Sequence, residues 1–179
     1  SGISINLIIA TRYGADGVGA FNQVYAFYIV AAQFAILGLQ HSTLKHAAEH
    51  AFDQQQIRTI VWTAACLAFL VGAVFGGLGI VAAPRLGRFI DSLAVGSALS
   101  QAALALPFFS INKVLLAALN GLRLMVRFAA WQITRYVILV LAVLALVLSD
   151  RPVGEFGLVF VATELPLSIA LIAASAHQF

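Results

Sequence analysis

Long stretches without charged residues limit what this chain can fold into. The three stretches that have no Asp, Glu, Lys or Arg are residues 17–44, 59–84 and 92–112. Residues 128–149 carry one such side chain, Arg135, and residues 156–179 carry one, Glu164. A membrane helix needs about 20 mostly apolar residues to cross a hydrocarbon core of about 30 Å, so each stretch is long enough to span a bilayer.

These stretches predict an all-α, polytopic transmembrane helix bundle. The predicted spans cover residues 20–44, 59–84, 98–119, 128–149 and 156–177. Residues 3–11 are too short to span, and we predict that they are the last turns of a helix that ends at a polar turn over 12–17. A transmembrane β-barrel would show segments of about 10 residues that alternate apolar and polar side chains, and the sequence has no such alternation.

The composition is typical of a chain that is solvated by lipid. Of the 179 residues, 62% are apolar and 9% are charged, whereas a soluble domain has about 25% charged residues. We interpret the net charge of +3 as loop charge or as a cavity for an anion, and not as a nucleic-acid surface. The chain starts at Ser1 rather than at methionine, so we expect it to be a piece of a longer protein.

Basic residues at the ends of the spans bear on the orientation. If the helices alternate, residues 45–58 and 119–127 lie on one side, and Lys and Arg residues are nearly equal in number on the two sides. Acidic residues count little in the positive-inside rule, so the bias is weak, and we place these two segments in the cytoplasm. Residues 45–58 are predicted to form an amphipathic interfacial helix that extends the first span.

Three ionisable side chains inside the predicted spans give the strongest functional signal: Lys113, Arg135 and Glu164. A charge at the centre of a span costs at least about 2.5–3.5 kcal/mol and usually faces a cavity or a partner. The functional interpretation is a polar cavity that offers two cations to an anionic substrate. The alternatives are snorkelling of Lys113 and Arg135 to the headgroups, and an ion pair of Glu164 that only fixes helix packing.

Prolines and glycines add candidate bends and close contacts. Pro107 and Pro166 lie inside predicted spans and are candidates for a kink or a gating bend. Gly72 and Gly76 have the small-xxx-small spacing that permits close helix packing. His46 and His50 are four residues apart without an HExxH motif, so we interpret them as a solvated interfacial face and predict no metal site.

Several short motifs, taken in order, resemble Wzx-type polysaccharide flippases. Residues 11–21 (TRYGADGVGAF) are similar to the first loop of that family, with an arginine, a glycine, an acidic residue and a second glycine before an aromatic residue. The further matches are residues 37–39, 45–49, 106–107 and 115–121, followed by Arg127, Ala130 and Gln132. Together they resemble the first half of such a protein, within the multidrug, oligosaccharidyl-lipid and polysaccharide exporter superfamily.

The resemblance implies one lobe of a two-lobed exporter fold in the inner (cytoplasmic) membrane. Its activity would be to flip a polyprenyl-pyrophosphate-linked oligosaccharide by alternating access, for surface polysaccharide or lipopolysaccharide synthesis. Arg12, Lys113 and Arg135 are then candidate contacts of the pyrophosphate, and Glu164 could balance the empty cavity or couple to a proton or a sodium ion. The second lobe of the same protein would be the missing partner.

Other functions stay open at this point. A drug/cation antiporter of the same superfamily would depend mainly on Glu164, and a structural membrane subunit would use the three charges as packing pairs. A membrane-embedded glycosyltransferase or polymerase would need acidic residues on a large external loop, and the loops here are short. No nucleophile motif, phosphate loop or pair of carboxylates at catalytic spacing occurs, so we expect neither an enzyme nor a cofactor.

Overall fold

The computed structural model describes residues 2–176, and most of them are helical. In order, the helices are α1 Gly2–Ile36, α2 Leu39–Glu49, α3 Gln54–Phe89, α4 Leu93–Ala103, α5 Leu106–Gly121, α6 Met125–Leu148 and α7 Leu158–Ala176. A short 3-10 helix, Val153–Glu155, precedes α7. Residues 2–176 contain no strand, and the predicted all-α bundle is confirmed.

Between three and five segments of the described chain could cross a membrane. Within residues 2–176, three segments are long and apolar enough to cross a membrane: α3, α6 and Val153–Ala176, which contains α7. Two bent pairs, α1 with α2 at 50° and α4 with α5 at 46°, bring the number to five if each pair is one span. The predicted span over 156–177 matches α7 up to Ala176, and its last residue lies outside the described part of the chain.

The first helix reverses direction at Gly14. This glycine has φ 65° and ψ −161°, a backbone conformation that side chains with a Cβ rarely adopt. Gly2 and Ile5 line the same small cavity as Tyr25, although a straight helix would separate Gly2 from Tyr25 by about 35 Å. The predicted short helix over 3–11 is therefore present, and the polar turn that follows it is centred on Gly14.

The predicted first span is divided near its end. Leu37 and Gly38 both have left-handed backbone angles, φ 44° and φ 76°, and this break separates α1 from α2. The prediction of one interfacial helix over residues 45–58 is wrong, because α2 ends at Glu49 and α3 begins at Gln54. The physical reason is Asp53, whose carboxylate accepts a hydrogen bond from the backbone N–H of Gln56 at 3.0 Å and starts a new helix.

Glycines of α3 allow it to pack closely against the bend between α4 and α5. A Cβ on Gly72 would lie 2.7 Å from Cα of Pro107, and one on Gly76 would lie 2.9 Å from the carbonyl oxygen of Ala103. The predicted role of the Gly72–Gly76 spacing in close helix packing is thus confirmed. The predicted span over 98–119 is bent here, since α4 stops at Ala103 and α5 starts three residues later.

Helix α5 lies at the centre of the bundle, in contact with α1, α2, α3, α6 and α7. One apolar cluster joins α1, α4 and the start of α7, and a second joins α3, α5 and the end of α7. Large apolar side chains on α3 and α6 point outward, as Leu70, Leu78 and Val137 do. This outward apolar surface fits a bundle whose solvent is lipid.

Candidate functional site

An ion pair inside the bundle joins α6 to α7. The guanidinium of Arg135 donates two hydrogen bonds to Oε1 of Glu164, from Nε at 2.9 Å and from Nη2 at 2.6 Å. The Glu164 side chain is 2% exposed and that of Arg135 is 16% exposed. Two of the three charges predicted to lie inside spans are therefore partners of each other.

A hydrogen-bond network completes the surroundings of Glu164. The side-chain amide of Asn112 donates to Oε2 of Glu164 at 2.8 Å and to the backbone oxygen of Glu164 at 3.0 Å. The hydroxyl of Ser168 contacts Oδ1 of Asn112 at 2.9 Å and the backbone oxygen of Glu164 at 2.8 Å. Both carboxylate oxygens thus have partners, which is what a charge removed from water requires.

Asn112 and Ser168 are site residues that the sequence pattern did not predict. Ser168 is four residues after Glu164, so the two lie on one face of α7, and this spacing was an available signal. Asn112 comes from a different helix, and its approach to Glu164 depends on how α5 and α7 pack.

Lys113 differs from Arg135 because it has no acidic partner in the described part of the chain. Among residues 2–176 its ammonium group makes no hydrogen bond or salt bridge, and it lies 5.3 Å from the ring centroid of Phe109. The guanidinium carbon of Arg135 lies 5.2 Å from the centroid of the same ring. Lys113, Arg135 and Glu164 therefore form one cluster around Phe109, and this cluster retains one net positive charge.

A groove of about 200 Å³ opens beside Lys113, between α2, α5 and α6. Its polar side chains are those of Gln40, His41, Lys113, Asn120 and Gln132. The rest of the lining is apolar and consists of Leu44, Leu116, Ala117 and Phe128. Amides, an imidazole and an ammonium group can together donate several hydrogen bonds to a ligand that carries oxygen atoms.

A buried phenol adjoins the charged cluster. Tyr28 on α1 stacks on Phe160 at 4.3 Å between ring centroids and makes an edge contact with Phe109 at 5.9 Å. Its hydroxyl is buried and has no hydrogen-bond partner within the described residues. An unpaired buried hydroxyl is destabilising, and no pattern in the sequence indicated it.

Arg12 lies apart from Lys113 and Arg135. Its guanidinium makes two hydrogen bonds to the carboxylate of Asp150, one of them from Nη2 at 2.6 Å, and both side chains are more than half exposed. Asp150 follows the end of α6, and Arg135 lies about 20 Å along that helix from Leu148. The three cations predicted to act together are thus divided between the end and the interior of the bundle.

The Arg12–Asp150 contact also fixes the reversal of α1. The neighbouring Tyr13 hydroxyl donates to the backbone oxygen of Arg151 at 2.6 Å, and its ring meets that of Phe156 edge-on. The hydrogen bond and the charge of Arg12 hold the pKa of Asp150 below its ordinary value. This end of the bundle is therefore tied to the turn after α6 by adjacent side chains.

The two candidate prolines occupy different positions. Pro107 lies in the first turn of α5, directly after the 46° bend. Pro166 lies within α7, which continues as one helix from Leu158 to Ala176. A bend accompanies Pro107, whereas Pro166 is accommodated within an unbroken helix two residues after Glu164.

No protein-family model matches the chain, and no match is found among curated proteins or solved structures. The resemblance to flippases consequently stays an expectation based on the residues that carry it.

Proposed function

We propose that this chain is one lobe of a membrane transporter that carries an anionic substrate. The observation that carries this proposal is Lys113, which has no acidic partner among the described residues and lies beside a polar groove, in a cluster where Glu164 offsets only one of two cations. A net positive charge away from water is costly by itself, and an anion would offset it. The cluster is therefore better suited to a negatively charged ligand than to an empty cavity.

The proposed substrate is a polyprenyl-pyrophosphate-linked oligosaccharide that is flipped across the cytoplasmic membrane. Its identity depends on the resemblance of residues 11–21 and 115–121 to flippases. The groove residues suit such a ligand, since Gln40, Asn120 and Gln132 have amides that can bond to phosphate or sugar oxygens. Lys113 supplies the charge for a phosphate, and Arg135 could join it if its bond to Glu164 opened.

The pairing of Arg135 with Glu164 also bears on the two alternatives. A drug/cation antiporter needs an acidic side chain that is free to bind a cation, and Glu164 is occupied by Arg135 and Asn112. A structural subunit needs only paired charges, and Arg135 with Glu164 meets that description. Lys113 is the residue that separates transport from a packing role, because pairing does not account for it.

Complementation of a flippase-null strain with the full-length gene tests the proposal. We expect Lys113→Gln to reduce polymer export severely and Lys113→Arg to retain part of it. Lys45→Gln is the matched control, because Lys45 lies in the second half of α2 with a largely exposed side chain. Export at wild-type level by Lys113→Gln, at equal protein abundance, would refute the anion role of Lys113.

Addition of Glu164→Gln to these variants, with drug efflux measured beside polymer export, distinguishes the antiporter. Drug efflux that is lost in Glu164→Gln but not in Lys113→Gln would support the antiporter and contradict our proposal. If Lys113→Gln and Glu164→Gln both keep polymer export and drug efflux, and only Glu164→Gln has reduced thermal stability, the structural subunit would be favoured.

A further inference from the structure

Three potential metal ligands meet at the carboxyl end of α2. His46, Glu49 and His50 each offer one ligand atom, and these atoms all lie within 4.8 Å of one another. Spacings of three and four residues place side chains on one face of a helix. The histidines alone indicated a solvated surface in the sequence, and the structure adds Glu49 between them.

The distance between His46 and Glu49 fits a small metal ion. Nδ1 of His46 lies 3.1 Å from Oε2 of Glu49. Two ligands that each bind Zn²⁺ at about 2.1 Å in tetrahedral geometry lie about 3.4 Å apart. An ion can thus take the place of the proton between these atoms with a small shift of either side chain.

The ring of His50 is oriented by the helix itself. Its Nδ1 contacts the backbone oxygen of His46 at 3.0 Å, which leaves Nε2 available as a ligand. Histidines that bind metals commonly use one ring nitrogen in this way, with the other held by a carbonyl or carboxylate. The same hydrogen bond fixes the tautomer that has a lone pair on Nε2.

We propose that His46, Glu49 and His50 form a binding site for a divalent transition metal of the Zn²⁺ class. Two imidazoles and one carboxylate suit Zn²⁺, Co²⁺ and Ni²⁺, whereas Mg²⁺ and Ca²⁺ prefer oxygen ligands throughout. Three protein ligands leave a coordination position for water or for another group. A bound metal would tie the last turn of α2 to His50, the residue that ends it.

One neighbouring charge opposes the ion. Nζ of Lys45 lies 3.7 Å from Oε1 of Glu49, on the carboxylate that would bind the metal. Removal of this positive charge should strengthen metal binding, since the ammonium group competes for Glu49. Substitution of Lys45 should therefore raise the affinity for the metal, whereas loss of a ligand should lower it.

Titration of Zn²⁺ into the untagged full-length protein in phosphatidylcholine nanodiscs tests the site by calorimetry. We expect one saturable site per chain, an affinity lower by at least about tenfold in His46→Ala and in His50→Ala, and a higher affinity in Lys45→Gln. His41→Ala is the matched control, because His41 lies on the same helix but lines the groove beside Lys113. Co²⁺ bound to wild type should show visible d–d absorption that His50→Ala abolishes.

Several results would overturn the site. These are the absence of saturable Zn²⁺ binding to wild type, an equal loss of affinity in His41→Ala, and displacement of Zn²⁺ by equimolar Mg²⁺. Lipid flipping need not be measured, so failure of this site would leave the transport proposal untouched.

Discussion

Arg135 on α6 and Glu164 on α7 form an ion pair whose acidic side chain is almost fully removed from solvent. Nη2 of Arg135 lies 2.6 Å from Oε1 of Glu164, and the side-chain amide of Asn112 on α5 donates a hydrogen bond to Oε2. Three helices that are separate in sequence are thus held by one carboxylate. The buried apolar side chains of α6, Val143, Leu146 and Val147, lie near its carboxyl end, and the pair adds a buried polar contact about two turns earlier.

Loss of one partner of this pair should cost more than loss of both. Arg135→Leu leaves the Glu164 carboxylate buried without a cation, and we expect a loss of about 3–5 kcal/mol in the free energy of unfolding. Arg135→Leu with Glu164→Leu should recover part of that loss, because no uncompensated charge remains. Unfolding of the full-length protein in mixed detergent micelles measures both, and a double variant as unstable as the sum of the single variants would contradict the coupling.

Asn112 should be important for stability as a donor to Glu164. Asn112→Ala leaves one carboxylate oxygen without its partner, and we expect a loss of about 1–3 kcal/mol in the free energy of unfolding. Asn120→Ala is the control, because Asn120 is on the same helix and lines the open groove. Equal losses in the two variants would show that the bond to Glu164 has no special weight.

Tyr28 provides a prediction in the opposite direction. Its hydroxyl is buried without a partner in the described structure, so Tyr28→Phe should leave the melting temperature unchanged or raise it. Phe160→Ala, which removes the ring stacked on Tyr28, should lower it clearly. A marked loss of stability in Tyr28→Phe would mean that the hydroxyl has a partner in the membrane.

Comparison of Gly76 with the adjacent Gly77 on α3 separates the effect of close packing from that of helix propensity. Gly76→Ala places a Cβ 2.9 Å from the backbone oxygen of Ala103, and we expect a loss of about 1–3 kcal/mol in the free energy of unfolding. The added Cβ of Gly77→Ala meets no atom of another described helix within 4 Å, so this change should be neutral or stabilising by up to about 1 kcal/mol. The same unfolding assay compares them, and equal effects would contradict the packing seen at the bend.

The Arg12–Asp150 pair should give a small stability difference that depends on pH. The pKa of Asp150 is lowered in the folded chain, chiefly by the hydrogen bond from Arg12, so the folded state binds this proton more weakly than the unfolded state. The stabilisation is fully present above the unfolded pKa and is lost as pH falls through the folded pKa. Melting temperatures of wild type and Asp150→Asn should therefore differ at neutral pH and converge in acid.

The effect should be small, because both side chains are mostly exposed and surface pairs are screened. Asp91→Asn is the control, since Asp91 lies in a different turn, between α3 and α4. A difference between wild type and Asp150→Asn that persists unchanged in acid would exclude the titration of Asp150 as its cause.

The sequence by itself determined the fold class and the approximate positions of the apolar segments. Length and absence of charge decide whether a segment can cross lipid, and both can be counted along the chain. The turn over residues 12–17 was also predictable, because Gly14 permits a backbone angle that other residues rarely adopt. The Gly72–Gly76 spacing likewise indicated a close contact, although not its partner.

Only the tertiary structure decided the bends and the partners of the charges. The break at Leu37 requires a left-handed angle at a leucine, which its side chain does not favour, so the residue type gave no signal of the break. Arg135 meets Glu164 across 29 residues, and Arg12 meets Asp150 across 138 residues. Charges in a low-dielectric bundle pair with the opposite charge that packing brings near. The number of residues between two charges in the sequence does not determine their distance in the fold.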